Sequence, residues 1–145
     1  MAPHAMALTG IEHVLVLSDE IEATRDFYCE ALGLEVGARP PLEFPGLWLY
    51  VGDVPCVHIA EREAYEEHSR RLGIGASPRA DGTGAVDHVS FNGDDYGEIV
   101  ARLERSGVVA ARNTVPGVGL RQLFCEDPNG VRIEINVTPE RAGRE

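Results

Sequence analysis

The chain has 145 residues and a mass of 15.7 kDa, one domain by the ordinary size of domains, with no room for two large ones. With 43% hydrophobic and 26% charged residues, it has the composition of a folded globular protein rather than a disordered one. Asp and Glu number 24 against 13 Lys and Arg, and the resulting formal charge of −11 repels phosphate backbones and anionic membranes, so neither nucleic acid nor a membrane is an expected partner.

The pattern predicts, in chain order, a strand over 11–17, a helix over 19–32 ended by Gly33, and strands over 34–38, 46–51 and 54–60. The run 61–73, rich in Glu and Arg, is expected to form a short charged helix whose solvated face includes His68, and a Gly/Ser/Pro/Ala linker follows to residue 85. Next come a strand over 86–91, a helix over 94–106 ended by Gly107, and strands over 107–112, 118–125 and 131–137. Residues 1–8, with His4, and 138–145 have no periodic pattern and read as terminal arms. No apolar run approaches the ~18 residues that span a bilayer, and the first ten residues lack a basic segment ahead of an apolar one, so a cytoplasmic protein is expected.

The second half echoes the first. Ile11-Glu12-His13-Val14 matches Val86-Asp87-His88-Val89, with the histidines 75 residues apart. The helix-start signatures Asp19-x-x-Glu22 and Asp95-x-x-Glu98, both variants of the capping box, are 76 apart. Gly46 to Val51 overlies Gly119 to Phe124, and Pro128-Asn129-Gly130 joins two alternating runs as a hairpin turn. The expected fold is therefore α+β within a single domain 1–145. It comprises two βαβββ modules related by a pseudo-twofold, about 11–60 and 86–137, with a linker about 61–85.

Strand alternation selects the candidate site. Val131, Ile133, Ile135 and Val137 form one apolar face, which leaves Glu134 on the other. By the same logic His13, His58 and His88 oppose Val14/Val16, Val57/Ile59 and Val89/Phe91. His13 repeats as His88 and His58 as Glu134, so packing about a twofold would make all four converge. Imidazoles with a carboxylate suit a divalent first-row metal: Zn, Ni, Fe, Mn or Co. Trp48 and Tyr50 share a face, and the repeat sets Arg121 opposite Trp48, an aromatic wall with a cation that suits a planar or carboxylated small-molecule substrate. Phe27 and Tyr28 read as helix-to-sheet packing. Cys29, Cys56 and Cys125, odd in number and without a Cys-x-x-Cys pair, read as small buried residues in a reducing compartment rather than as a disulfide framework.

These motifs resemble the vicinal oxygen chelate superfamily of glyoxalase I, extradiol dioxygenases and bleomycin-resistance proteins. The resemblance rests on Ile11 to Val14, Phe27-Tyr28 before Ala31 to Leu34, Val86 to Phe91 and Glu126 to Glu134, and covers about 11–137. It implies a mixed sheet cupped around a metal, ligands at His13, His88 and Glu134, and a homodimer, which would also cover exposed sheet edges. Glyoxalase I typically has a glutamate where this chain has His58. The leading expectation is a glyoxalase-like lyase or isomerase in which the metal acts as Lewis acid to two neighbouring substrate oxygens, with Glu134 as ligand and base and His58 as fourth ligand or proton carrier. An extradiol-type Fe(II) dioxygenase on His13, His88 and Glu134 is one alternative. A non-catalytic protein sequestering a cationic antibiotic is another.

Overall fold

A computed structural model describes residues 10–75 and 83–138, so the expected arms, apart from Thr138, and the middle of the expected linker lie outside the described residues. The elements are β1 (Val14–Ser18), α1 (Ile21–Asp26) continued by a π-helical turn Phe27–Ala31, β2 (Glu35–Gly37), β3 (Gly46–Val51) and β4 (Val54–Glu61). Helix α2 (Arg62–Arg71) leads toward the second half: β5 (Val89–Gly93), α3 (Tyr96–Arg105), β6 (Ala111–Val115), β7 (Leu120–Glu126) and β8 (Arg132–Val137). The expected strand-helix-strand-strand-strand repeat is present twice, in two four-stranded mixed sheets of the same plan. Their orders are β1-β4-β3-β2 and β5-β8-β7-β6, with the first pair of each parallel and the others antiparallel. The charged helix predicted after residue 60 is α2.

Alternation builds the core. Ile133, Ile135 and Val137 of β8, Leu123 and Cys125 of β7, and Val57, Ile59 and Leu49 of the first sheet are buried under α1 and α3, with Tyr28 and Leu103 from the helical side. Each fully buried aliphatic side chain contributes about 1.5–3 kcal/mol. Gly33 and Gly107 end their helices at φ 85° and 71°, the left-handed conformation that a helix end asks of glycine.

Expectations about the helix and about the repeat are corrected. Asp95 caps α3, its Oδ1 accepting from the Glu98 amide at 3.1 Å, but Asp19 does not cap α1. Ser18 Oγ instead accepts the Glu20 amide at 2.9 Å, and the Asp19 carboxylate faces Arg62 at 3.3 Å. The 19–32 helix is also shorter in α form, because its last turn widens until the Leu32 amide reaches the Phe27 carbonyl at 3.3 Å. The second correction concerns the register of the repeat. Trp48 lies beside His58 and Phe124 beside Glu134, so the partner of Trp48 is Phe124, 76 residues on, and not Arg121. The glycines that suggested the other alignment do different jobs. A Cβ on Gly46 would lie 2.2 Å from the Ile59 carbonyl oxygen, whereas Gly119 sits in a turn at φ 68°.

The β7–β8 turn locks the halves together. Tyr28 Oη donates to Asp127 Oδ2 at 2.8 Å, and Asp127 Oδ1 accepts from the amides of Asn129 and Val131 at 2.7 and 2.9 Å. Asn129 Nδ2 reaches Thr24 Oγ1 at 2.9 Å, which in turn touches Ser18 Oγ at 2.9 Å. Burial beside this carboxylate holds the Tyr28 phenol far above its ordinary pKa. Tyr28 is thus packing, as expected, and also the anchor of the other module's turn.

Candidate metal and substrate site

The four predicted donors fall into two pairs, one per sheet, at matching positions. His13 immediately precedes β1, whose Leu15 is opposite His58 of β4; His88 immediately precedes β5, whose Ser90 is opposite Glu134 of β8. The His13 and His58 rings stack with centroids 3.7 Å apart, and His88 Nε2 lies 3.5 Å from Glu134 Oε1. Among the described residues no group of three or more His, Cys, Asp or Glu side chains gathers as a metal cluster, so the structure brings the donors together as pairs and not as a foursome.

Each repeated histidine is oriented by the acidic residue before it. His13 Nδ1 is 2.8 Å from Glu12 Oε1, and His88 Nδ1 is 2.9 Å from Asp87 Oδ2. A carboxylate on Nδ1 fixes the tautomer and leaves Nε2 as the lone-pair nitrogen, the usual support of a metal-binding imidazole. The hydrogen bond to His88, helped by Arg132 at 3.1 Å, holds the Asp87 carboxyl below its ordinary pKa. Glu134, with 13% of its side chain exposed, is oriented from its other side, Oε2 accepting from Asn136 Nδ2 at 2.7 Å and Ser90 Oγ at 3.3 Å. The row continues through Gln122 to Asn113, by bonds of 3.1 and 2.8 Å. A donor set of two carboxylate-backed imidazoles and an anchored carboxylate fits a divalent cation.

His58 sits differently from the open-face position expected of it. It is 9% exposed, sandwiched between His13 and the Trp48 ring at 4.0 Å, and its Nε2 is 3.0 Å from the Pro55 carbonyl oxygen. Burial foremost, then the charge of His13, lowers its pKa, so it is neutral near pH 7 with Nδ1 as acceptor when Nε2 donates to Pro55.

The expected aromatic wall is only partly assembled. Trp48 faces the His13/His58 pair, but Tyr50 lies across Gly37, hydrogen-bonds the Ala38 carbonyl at 2.6 Å and lines a different cleft. Arg121 is on the opposite face, its guanidinium 3.6 Å above the Tyr96 ring, because it shares parity with the core residues Leu123 and Cys125. His68, expected in solvent, instead packs 5.1 Å from the Phe44 ring and lines a pocket of about 260 Å³ with His13, His58, Trp48 and Arg39. No cysteine is disulfide-bonded, and burial raises the thiol pKa of Cys29 and takes that of Cys125 to about 11, so neither is an activated nucleophile.

Sequence reasoning missed the roles of Glu12 and Asp87, although both stood in the repeated motif. It missed Ser90 and Asn136, which alternation places beside Glu134, and Arg39, Phe44 and Tyr65, which no periodicity links to the site.

Comparison with known proteins bears on this arrangement. Residues 10–135 match the family model of the Glyoxalase/Bleomycin resistance protein/Dioxygenase superfamily. The chain is 31% identical over 137 residues to "Glyoxylase I 4" of Arabidopsis thaliana, covering 92% of this chain and 74% of that protein. It is 28% identical over 141 residues to "Biphenyl-2,3-diol 1,2-dioxygenase 2" of Rhodococcus globerulus, covering 90% of this chain and 65% of that protein, slightly under two thirds of its length. The fold is similar to that of lactoylglutathione lyase from Agrobacterium tumefaciens, with TM-score 0.66, 18% identity, and coverage of 90% and 94% of the two chains.

Proposed function

The chain belongs to the Glyoxalase/Bleomycin resistance protein/Dioxygenase superfamily, and from that premise we propose that it is a divalent-metal-dependent, glyoxalase-like lyase or isomerase acting on a small substrate with two neighbouring oxygens. The observation that carries this reading is the repeated carboxylate–imidazole pair, Glu12–His13 and Asp87–His88, each offering Nε2 beside a further donor. His13, His88 and Glu134 would hold the metal, with His58 next to them. When bound, the metal supplies Lewis acidity to the substrate oxygens. Glu134 is positioned to take and return a proton at Oε1, since Oε2 is held by Asn136 and Ser90. His58 Nδ1 is a second proton acceptor in a water-poor setting.

The two donor pairs lie on separate sheets, which supports a homodimer in which one chain's His13/His58 pair meets the other's His88/Glu134 pair. The free thiols support a reducing, cytoplasmic setting.

A second reading is an extradiol-type Fe(II) dioxygenase. It is favoured by the engagement of His58 with Pro55 and Trp48, which leaves His13, His88 and Glu134 as a two-His, one-carboxylate set with open positions. Metal analysis of protein purified without added metal, joined to assays of hemithioacetal turnover and of oxygen uptake on catechols, separates the two. Zinc or nickel with turnover and no uptake is expected; iron with uptake assigns the dioxygenase. Stoichiometric metal in a His13→Ala/His88→Ala/Glu134→Ala variant would overturn both.

A further inference from the structure

Helix α2 follows β4 directly and lays Tyr65 and His68 against Phe44 of the β2–β3 segment, with ring centroids of 5.0 Å for Tyr65 and 5.1 Å for His68. Together with Leu15, Leu42 and Trp48 they wall the pocket of about 260 Å³ over the His13/His58 pair. Two buried polar side-chain atoms without a hydrogen-bond partner, Arg39 Nε and His68 Nδ1, belong to residues lining this same pocket. Arg39 is otherwise committed, its Nη2 donating to the Phe44 carbonyl at 2.6 Å with the guanidinium 5.4 Å from the Phe44 ring centre. His68 Nδ1 is 3.4 Å from Glu43 Oε1 but not aligned to bond it, and the Glu43 side chain is 73% exposed at the rim.

A buried donor or acceptor left unpaired costs about 1–3 kcal/mol, and here two such atoms flank one aromatic ring at one cavity. We propose that this pocket takes a single-ring aromatic compound bearing a carboxylate, its ring among Phe44, Tyr65 and Trp48 and its carboxylate on Arg39 Nε and His68 Nδ1. This rests on the functional reading above and names its substrate class. Size supports it: a cavity of about 150 Å³ holds benzene, so 260 Å³ takes a ring with one small acidic group. The net charge of −11 works against any anion, which makes the local cation at Arg39 the decisive attraction. The arrangement also assigns a purpose to α2, which lies between the two repeats and has no counterpart in the second among the described residues.

The test uses full-length protein stripped of metal. Trp48, the sole tryptophan, reports occupancy by its fluorescence. Benzoate is expected to bind at least ~10-fold more tightly than its neutral isostere benzamide, a gap in keeping with a charge-assisted hydrogen bond. Arg39→Gln and His68→Phe should each reduce benzoate affinity by ~10-fold or more while changing that for benzamide by less than ~3-fold, and Glu43→Gln should tighten benzoate. Equal binding of the two probes, or none of benzoate at tens of millimolar, overturns the proposal, and the wild-type comparison stands even if a variant misfolds. Metal content of the wild type and of Arg39→Gln is measured separately. A chain that binds benzoate but never metal refutes the catalytic reading alone, and one that binds metal but not benzoate refutes this pocket alone.

Discussion

The two sheets share a lattice and differ in what covers it. In the first, the donor pair is closed in by rings: His58 lies between His13 and Trp48, and Phe44, Tyr65 and His68 stand above. In the second, the equivalent pair belongs to a polar row, with Glu134 bonded to Ser90 and Asn136, and Asn136 to Gln122. The hairpin turns differ as sharply. Asp127 is 5% exposed and grips Tyr28, while Val51 at the matching position is 50% exposed and borders an open cleft of about 600 Å³. The shared plan therefore puts the candidate donors at matching places, and the residues around them make one half an aromatic enclosure and the other a polar row.

The sharpest way to break this comparison is at the turns. Asp127→Ala strands the Tyr28 hydroxyl and the amides of Asn129 and Val131 and should cost about 3–5 kcal/mol in denaturant unfolding, whereas Val51→Ala should stay within about 0.5 kcal/mol. Equal losses would mean that the turns are equivalent after all. Replacing a donor itself, by His88→Ala or Glu134→Ala, should weaken metal binding by more than about 100-fold, read by titration against a competing chelator.

One step out from the donors, the halves should part again. Asn136→Ala leaves Glu134 Oε2 held only by the longer bond from Ser90 and should lower metal affinity by about 10–100-fold, while Trp48→Leu, on the aromatic side, should change it less than about 3-fold. The smallest expected difference is at the helix starts. Asp95→Ala removes a bonded cap and should cost about 1 kcal/mol; Asp19→Ala, with no cap to lose, should cost under about 0.5 kcal/mol by thermal unfolding.

Much of this was legible in the chain because periodicity and repetition are local properties. The alternation of 131–137 already turned Glu134 away from the core, and the 75-residue spacing of His13 and His88 already paired two histidines. Arg121 shows where repetition misleads. A glycine at each start suggested Trp48 as its partner, yet its own parity with Leu123 and Cys125 would have placed it on the helix side, where it meets Tyr96. Asp19 shows that a cap signature is only an offer, since Arg62, 43 residues away, claims its carboxylate.

By itself the sequence determined the two-module α+β plan and the face of Glu134, and it nominated the four candidate donors, because each follows from side-chain spacing and repetition along the chain. The tertiary structure alone decided that the donors stand as two pairs and that Tyr28 anchors the other module's turn. It also decided that α2 brings His68 and Tyr65 over Phe44. Those contacts join residues up to 99 positions apart, and which surfaces meet at such range depends on how whole sheets and helices pack, which no local period encodes.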